Sequence, residues 1–392
     1  MPAPPSPVAG TGDLRVVGSA DPDGLVQLLT PEGEWVEHPD YELDVPPQQL
    51  QSLYRDMALA RRVDEEGTAL QRQGQLGLWA SLRGQEAAQV GSARALRAED
   101  MAFPTYREHA VAMCRGVDPV QIMTVFRGVR HGGWDPRRFG LAPYSIVIGS
   151  QALHAVGYAL GVQRDVAGRG PARAGADTTD HPAVVAYFGD GASSQGEVNE
   201  AFVWAAVHDA PVVFFCQNNQ WAISQPAERQ TRVPVFRRAD GFGFPGVRVD
   251  GNDVVAVLAV TLRALRRARD GGGPTLVEAY TYRIGAHTTA DDATRYRSLA
   301  EVETWKLRDP LERVKAFLHR RHAAEPAFFE QVAAEADELA ARLRQGCLGL
   351  ADPPPLAMFD HVYAGEHLPL RTQREQFAAY LESVAEPDGD PR

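Results

Sequence analysis

Two short apolar runs, Ala183–Phe188 (AVVAYF) and Pro211–Cys216 (PVVFFC), have the length and the β-branched and aromatic content of buried strands. Between them Val198, Ala201, Phe202 and Ala205 recur at helical spacing, while Glu197, Asn199 and Glu200 point elsewhere. The segment therefore predicts a strand, a glycine turn, a helix and a second strand. Gly246–Asp250 and Pro274–Tyr282 repeat that rhythm around an amphipathic helix, Val254–Ala268. Upstream, Leu50, Leu53, Tyr54, Met57 and Ala60 pattern a helix over Gln48–Gly74, and Gly84–Leu96 reads as a second helix rich in small residues. Beyond Asp309 the pattern is mostly helical, including Glu330–Arg344, and it closes in a polar, acidic tail. Alternating strands and helices predict an α/β fold with a doubly wound, mainly parallel sheet and helices on both faces. The expected organisation is a loose N-terminal arm over residues 1–42, with a β-like piece at Gly24–Leu29, then an α/β domain over 43–310. A helical region over 311–392 follows. A flexible insertion is expected at 165–181, where DVAGRGPARAGADTTDH holds few large apolar side chains.

Composition narrows the class. With 392 residues, 44% of them hydrophobic and 23% charged, the chain can bury a substantial core. A formal charge of −11 leaves no basic excess to neutralise phosphates, which argues against nucleic acid as a partner. The densest basic run, Arg263–Arg269, shares its helix with Leu258, Leu262 and Leu265, as a solvated helix face does. No apolar run has transmembrane length, and the opening MPAPPSPVAGTG lacks the regions of a signal peptide. Cys114, Cys216 and Cys347 stand in no metal-ligand spacing. Together these predict a cytoplasmic protein with no membrane partner.

The strand–helix–strand unit also places chemistry. Asp190 falls at the carboxyl end of the first strand and Asn218–Asn219 just past the second, the edge where open α/β sheets bind ligands. Gly189 and Gly191 let backbone approach a ligand, and the following helix offers a positive N-terminus. A carboxylate and an amide oxygen converging there suit magnesium with a diphosphate as co-ligand. Gly-Asp-Gly alone is better read as a capping Asp, with Asn218–Asn219 a surface turn. A double Asn closes the unit, with positions 192 to 217 between it and Gly191.

That pairing of Gly-Asp-Gly with Asn-Asn resembles the thiamine-diphosphate motif, and other blocks extend the likeness from about Leu43 to the C-terminus. They are LQRQGQLGLWASLRGQEAAQVGSA, FPTYREH, IGSQALHAVG, GDGASSQGE with QNNQWAIS, VDGNDV and TYRIGAHTTADDATRYRS. In that order they resemble the alpha subunit of the thiamine-diphosphate-dependent first component of 2-oxo acid dehydrogenase complexes, the pyruvate and branched-chain enzymes. The resemblance implies oxidative decarboxylation of a 2-oxo acid and acyl transfer to a lipoyl group on the second component. It implies Mg²⁺ on Asp190, the Asn219 side chain and the Trp221 carbonyl. Tyr106 and Arg107 would hold the diphosphate, alongside Gly189, Gly191 and Ala192, while Ile148 props the cofactor. His287 would be the catalytic histidine on a polar, flexible loop beside the cofactor, its imidazole able to carry a proton near neutral pH. Ser145, Ser150 and Gln151 match a K⁺ site of some relatives. No residue corresponds to the Glu that contacts the aminopyrimidine, so the resemblance implies a separate beta subunit in an α₂β₂ heterotetramer.

Two departures stand out. Gln217 replaces an Arg that lies near the diphosphate in the mammalian branched-chain enzyme. Thr288 replaces a regulatory phosphoserine of those enzymes, although Ser298 matches a second one. Leu78 and Trp79 fall where relatives line the acyl pocket. The blocks lean towards 3-methyl-2-oxobutanoate as substrate, with pyruvate as the alternative. A Mg-dependent phosphohydrolase using Asp190, Asp291 and Asp292, and a non-catalytic subunit that props up a partner, are the other readings to be tested.

Overall fold

The computed structural model describes residues 24–130, 132–167 and 181–384. Eight strands are present among them: β1 (Leu25–Val26), β2 (Met101–Phe103), β3 (Val184–Gly189), β4 (Val212–Asn218), β5 (Trp221–Ala222), β6 (Gln225–Pro226), β7 (Gly246–Asp250) and β8 (Thr275–Tyr280). Six form one sheet in the order β1-β7-β8-β4-β3-β2, every neighbouring pair parallel. The remaining two, β5 and β6, make a small antiparallel hairpin above its carboxyl edge.

Strand alternation sorts the core into two layers. Val185, Tyr187, Val213, Phe215, Val277 and Ala279 point to the face covered by the helices Pro47–Arg72, Glu86–Arg94 and Val254–Arg269. Val184, Ala186, Phe188, Val212, Phe214, Cys216 and Leu276 point to the other, under Ser150–Ala167 and Gly196–Val207. Both faces of β3 and β4 are therefore dry, which is why these runs read as continuously apolar. The sheet is doubly wound and parallel, as the alternation of elements predicts.

The stretch expected as a loose arm is fixed from its β-like piece onward. Leu25–Val26 pairs with Arg248–Val249 at the sheet edge. The amides of Leu28 and Leu29 both donate to Asp253 Oδ2 (2.7 and 2.6 Å), and buried Arg313 donates to the Leu29 carbonyl and to Asp250 Oδ2 (2.9 and 2.8 Å). Asp253 also caps the Val254–Arg269 helix through Val255 N and Ala256 N, so one carboxylate ties arm to helix. Residues 1–23 of the arm lie outside the described residues, as do 168–180 of the expected insertion and 385–392 of the tail. The helix before the insertion runs on to Ala167.

By contact density the chain forms two compact units, Met1–Leu348 and Gly349–Arg392. In the first, the helices Pro310–Arg320 and Pro326–Leu348 pack on the Pro47–Arg72 helix, with Tyr54 edge-on to Phe329 at 5.1 Å. The second carries a Pro355–Phe359 turn and the helix Leu368–Val384, joined by a Phe359–Phe377 ring contact.

Candidate cofactor site at the carboxyl edge of the sheet

The register of β3 on β4 pairs Gly189 with Gln217, so Asp190 and Asn218–Asn219 leave the sheet side by side. Above them lies a cavity of about 240 Å³. It brings together Tyr106, Arg107, Ser145, Ile148, Gln151, Gly189, Asp190, Gly191, Ala192, Asn219, Trp221 and His287, from five separate stretches of sequence. Ser150 is not among its lining residues; its hydroxyl donates to Val147 O (2.9 Å). Trp79 does not reach the cavity either. It is fully buried, stacks on His109 at 4.3 Å and donates from Nε1 to Asp64. A Cβ on Gly191 would stand 2.8 Å from the Ala222 Cβ of the hairpin, whereas one on Gly189 would meet only open space. Gly191 lets the hairpin close over the loop, and Gly189 leaves room for a ligand. A 3-10 turn, Gly191–Ser194, precedes the Gly196–Val207 helix, so that helix begins five residues later than the glycine turn suggests.

One wall carries oxygen donors. Asp190 is buried, and burial raises its carboxyl to about 6 against the opposing hydrogen bond from Gln230 Nε2 (2.8 Å). Asn219 Oδ1 accepts from Trp221 N (3.2 Å), and its Nδ2 donates to Gln85 Oε1 (2.6 Å). The Trp221 carbonyl accepts from Arg283 Nη1 (2.8 Å) and keeps a second lone pair. One carboxylate, one amide oxygen and one carbonyl form a hard, oxygen-only set that suits Mg²⁺ completed by phosphate and water. Among the described residues no group of three His, Cys, Asp or Glu side chains could hold a metal by itself.

The opposite wall is cationic. Arg107 is buried and donates to Ser81 O (2.5 Å), His287 O (2.8 Å) and His287 Nδ1 (3.2 Å). A guanidinium can only donate, so Nδ1 is the acceptor and the imidazole proton sits on Nε2, which is 3.4 Å from the Tyr106 hydroxyl. Burial, then Arg107 and Arg283, push His287 down to about 3. The expectation that His287 carries a proton near neutral pH is thus corrected for the cofactor-free chain. Two guanidiniums beside a desolvated ring keep it neutral.

The loop bearing His287 is held more firmly than its polar sequence predicts. Arg297 donates to the carbonyls of Arg283, Ile284 and Gly285, the latter two at 2.7 and 2.9 Å. Asp291 accepts from His287 N (2.8 Å) and from the Tyr296 hydroxyl, while Asp292 caps Thr294. Neither acid lines the cavity, which removes the donor set that a phosphohydrolase would require. Ser298 Oγ caps the Leu299–Lys306 helix.

Sequence reasoning passed over Gln85, Glu108, Gln230 and Arg283. Glu108 is buried, and burial raises its carboxyl; it accepts from Thr105 N, Thr105 Oγ1 (2.6 Å) and Gln217 Nε2 (2.5 Å). Gln85 and Glu108 sit inside the quoted blocks LRGQEA and TYREH. Uncharged or paired side chains give no signal of their own there.

A family model described as Dehydrogenase E1 component matches residues 54–341. The chain belongs to this family. It is thus one chain of a thiamine-diphosphate-dependent oxidoreductase, and the oxygen wall facing a cationic wall suits that diphosphate cofactor. The chain is 44% identical over 373 residues to the 3-methyl-2-oxobutanoate dehydrogenase subunit alpha of Mycobacterium tuberculosis, covering 93% of this chain and 98% of that one. It is 36% identical over 299 residues to the pyruvate dehydrogenase E1 component subunit alpha of Staphylococcus epidermidis, covering 76% and 77%. The subunit of the same name from Staphylococcus aureus is 37% identical over the same span. Among the described residues no helix is long and apolar enough to cross a membrane.

Proposed function

We propose that this E1-family chain is the alpha subunit of a branched-chain 2-oxo acid dehydrogenase. It would decarboxylate 3-methyl-2-oxobutanoate and pass the acyl group to a lipoyl group of a second component. The observation that carries the reading is the cavity itself, with metal-type oxygen donors on one wall and Tyr106, Arg107 and His287 on the other. Asp190, Asn219 and the Trp221 carbonyl would hold Mg²⁺, and Arg107 would turn its guanidinium from His287 to the diphosphate. Bound there, thiamine diphosphate supplies the electron sink that no side chain provides for an acyl carbanion. His287, neutral and protonated on Nε2, is placed to donate a hydrogen bond into the cavity or to take up a proton on Nδ1 once Arg107 leaves it. Gln151 Oε1 is buried without a partner, and Ser145 shares the cavity wall. An unpartnered amide oxygen suits a K⁺ ion there.

A partner chain is part of the reading. The acids lining the cavity are Asp190 and Glu108, one committed to the metal side and the other to Thr105 and Gln217. No lining carboxylate is left to contact an aminopyrimidine, so a beta subunit would supply it in an α₂β₂ assembly. At the cavity rim Ile146, Val147 and Ile223 are more than half exposed, an apolar edge suited to such a chain. Pyruvate is the second reading, favoured by the staphylococcal relatives. Reconstituted with its partners, the chain is expected to give a higher kcat/KM on 3-methyl-2-oxobutanoate than on pyruvate. The reverse order assigns it to the pyruvate enzymes.

A further inference from the structure

Four buried side chains that line the cavity form one directional chain of hydrogen bonds. Asn219 Nδ2 donates to Gln85 Oε1 (2.6 Å), Gln85 Nε2 to Gln217 Oε1 (3.3 Å), and Gln217 Nε2 to Glu108 Oε1 (2.5 Å). All four residues are at most 7% exposed. Both ends dictate the same polarity. At the near end Glu108 Oε1 accepts from Gln217 Nε2, which leaves the Gln217 oxygen for Gln85. At the far end the Trp221 N–H only donates, so the Asn219 atom facing it must be oxygen. Each amide in between has a single orientation that satisfies both neighbours.

An asparagine side chain has two faces of nearly equal shape and opposite chemistry. Only the oxygen can ligate a cation; presenting the NH₂ would repel one. Resting on the Mg²⁺ reading above, we propose that Gln85 is a positioning residue for the metal. It engages Asn219 Nδ2 and so keeps Oδ1 turned to the cation, and Gln217 and Glu108 fix the orientation of Gln85 in turn. This gives Gln217 a role that an Arg at the same position could not fill, because a guanidinium offers no acceptor to Gln85.

Partners that orient metal ligands typically cost 10–100-fold in metal affinity when removed. The test uses the assembly of this chain with its partner at saturating thiamine diphosphate, with Mn²⁺ as probe and its dissociation constant read by electron paramagnetic resonance. Gln85→Met, which keeps volume but loses the acceptor, is expected to weaken Mn²⁺ by about 10-fold or more. Excess metal should restore kcat. Gln85→Glu retains an acceptor for Nδ2 and should bind Mn²⁺ as tightly as wild type or more tightly. Gln217→Leu, one bond further away, should show the same defect in smaller degree. Wild-type Mn²⁺ affinity in Gln85→Met overturns the proposal, as does an equal loss in Gln85→Met and Gln85→Glu, which marks a packing role. Asn219→Ala is the separate control. If it leaves Mn²⁺ affinity unchanged, the metal assignment itself fails.

Discussion

At the scale of the residue, the site is a set of buried polar groups whose states are fixed by their neighbours. Asp190 is the single carboxylate on the oxygen-donor wall. Asp190→Ala is expected to raise the apparent dissociation constant for thiamine diphosphate with Mg²⁺ by about 100-fold or more, near 3 kcal/mol. Fluorescence titration of the assembly measures this, and unchanged affinity removes Asp190 from the metal. His287 yields a pH signature. Its folded pKa, about 3, lies below the ordinary value of 6.5, so the unfolded chain binds the extra proton between those limits. The stability it permits is complete above pH 6.5 and is lost as pH falls towards 3. Buried His109, also pushed down to about 3, acts with the same sign, whereas Asp190 and Asp64, raised to about 6, oppose it below that pH. Removing one histidine isolates its share. Between pH 7 and 5 the melting temperature of His287→Asn should fall less steeply than that of wild type, measured by circular dichroism without cofactor. Parallel curves contradict a neutral, half-buried imidazole.

At the scale of the element, β3, β4 and the glycine turn deliver the site, and a stapled loop completes it. Arg297 holds three consecutive carbonyls at the base of the His287 loop. Arg297→Ala should therefore speed hydrogen exchange of the amides over 285–292 by about tenfold or more, because each lost bond is worth about 1 kcal/mol. Exchange at the wild-type rate would mean that the loop is held elsewhere. The strands were legible because β3 and β4 are dry on both faces and leave an uninterrupted apolar run. The attachment of the arm was not, because β1 is two residues long and is held by Asp253 and Arg313, far away in sequence. The loop's composition of Gly, Thr, Asp and Arg suggested mobility, yet the same polar groups staple it by bonding one another. Gln85 stayed invisible for a similar reason. A buried glutamine has no periodic signature, and its partners appear only once the sheet edge is assembled.

At the scale of the whole molecule, the chain supplies a two-walled cavity with its own acids already engaged. The motif order alone pointed to the family and to most residues lining the cavity. Ser150, matched to a K⁺ site, and Trp79, matched to an acyl-pocket stretch, do not line this cavity, one facing a local turn and the other the core. The central claim is a split site that binds thiamine diphosphate and turns over only when a second chain completes it. The direct test measures reduction of an artificial electron acceptor with 3-methyl-2-oxobutanoate. It compares the pure chain, its pure partner and their mixture, each with and without thiamine diphosphate and Mg²⁺. Turnover is expected only in the mixture with both cofactors present. Turnover by the pure chain, or by the mixture without thiamine diphosphate, would contradict the account.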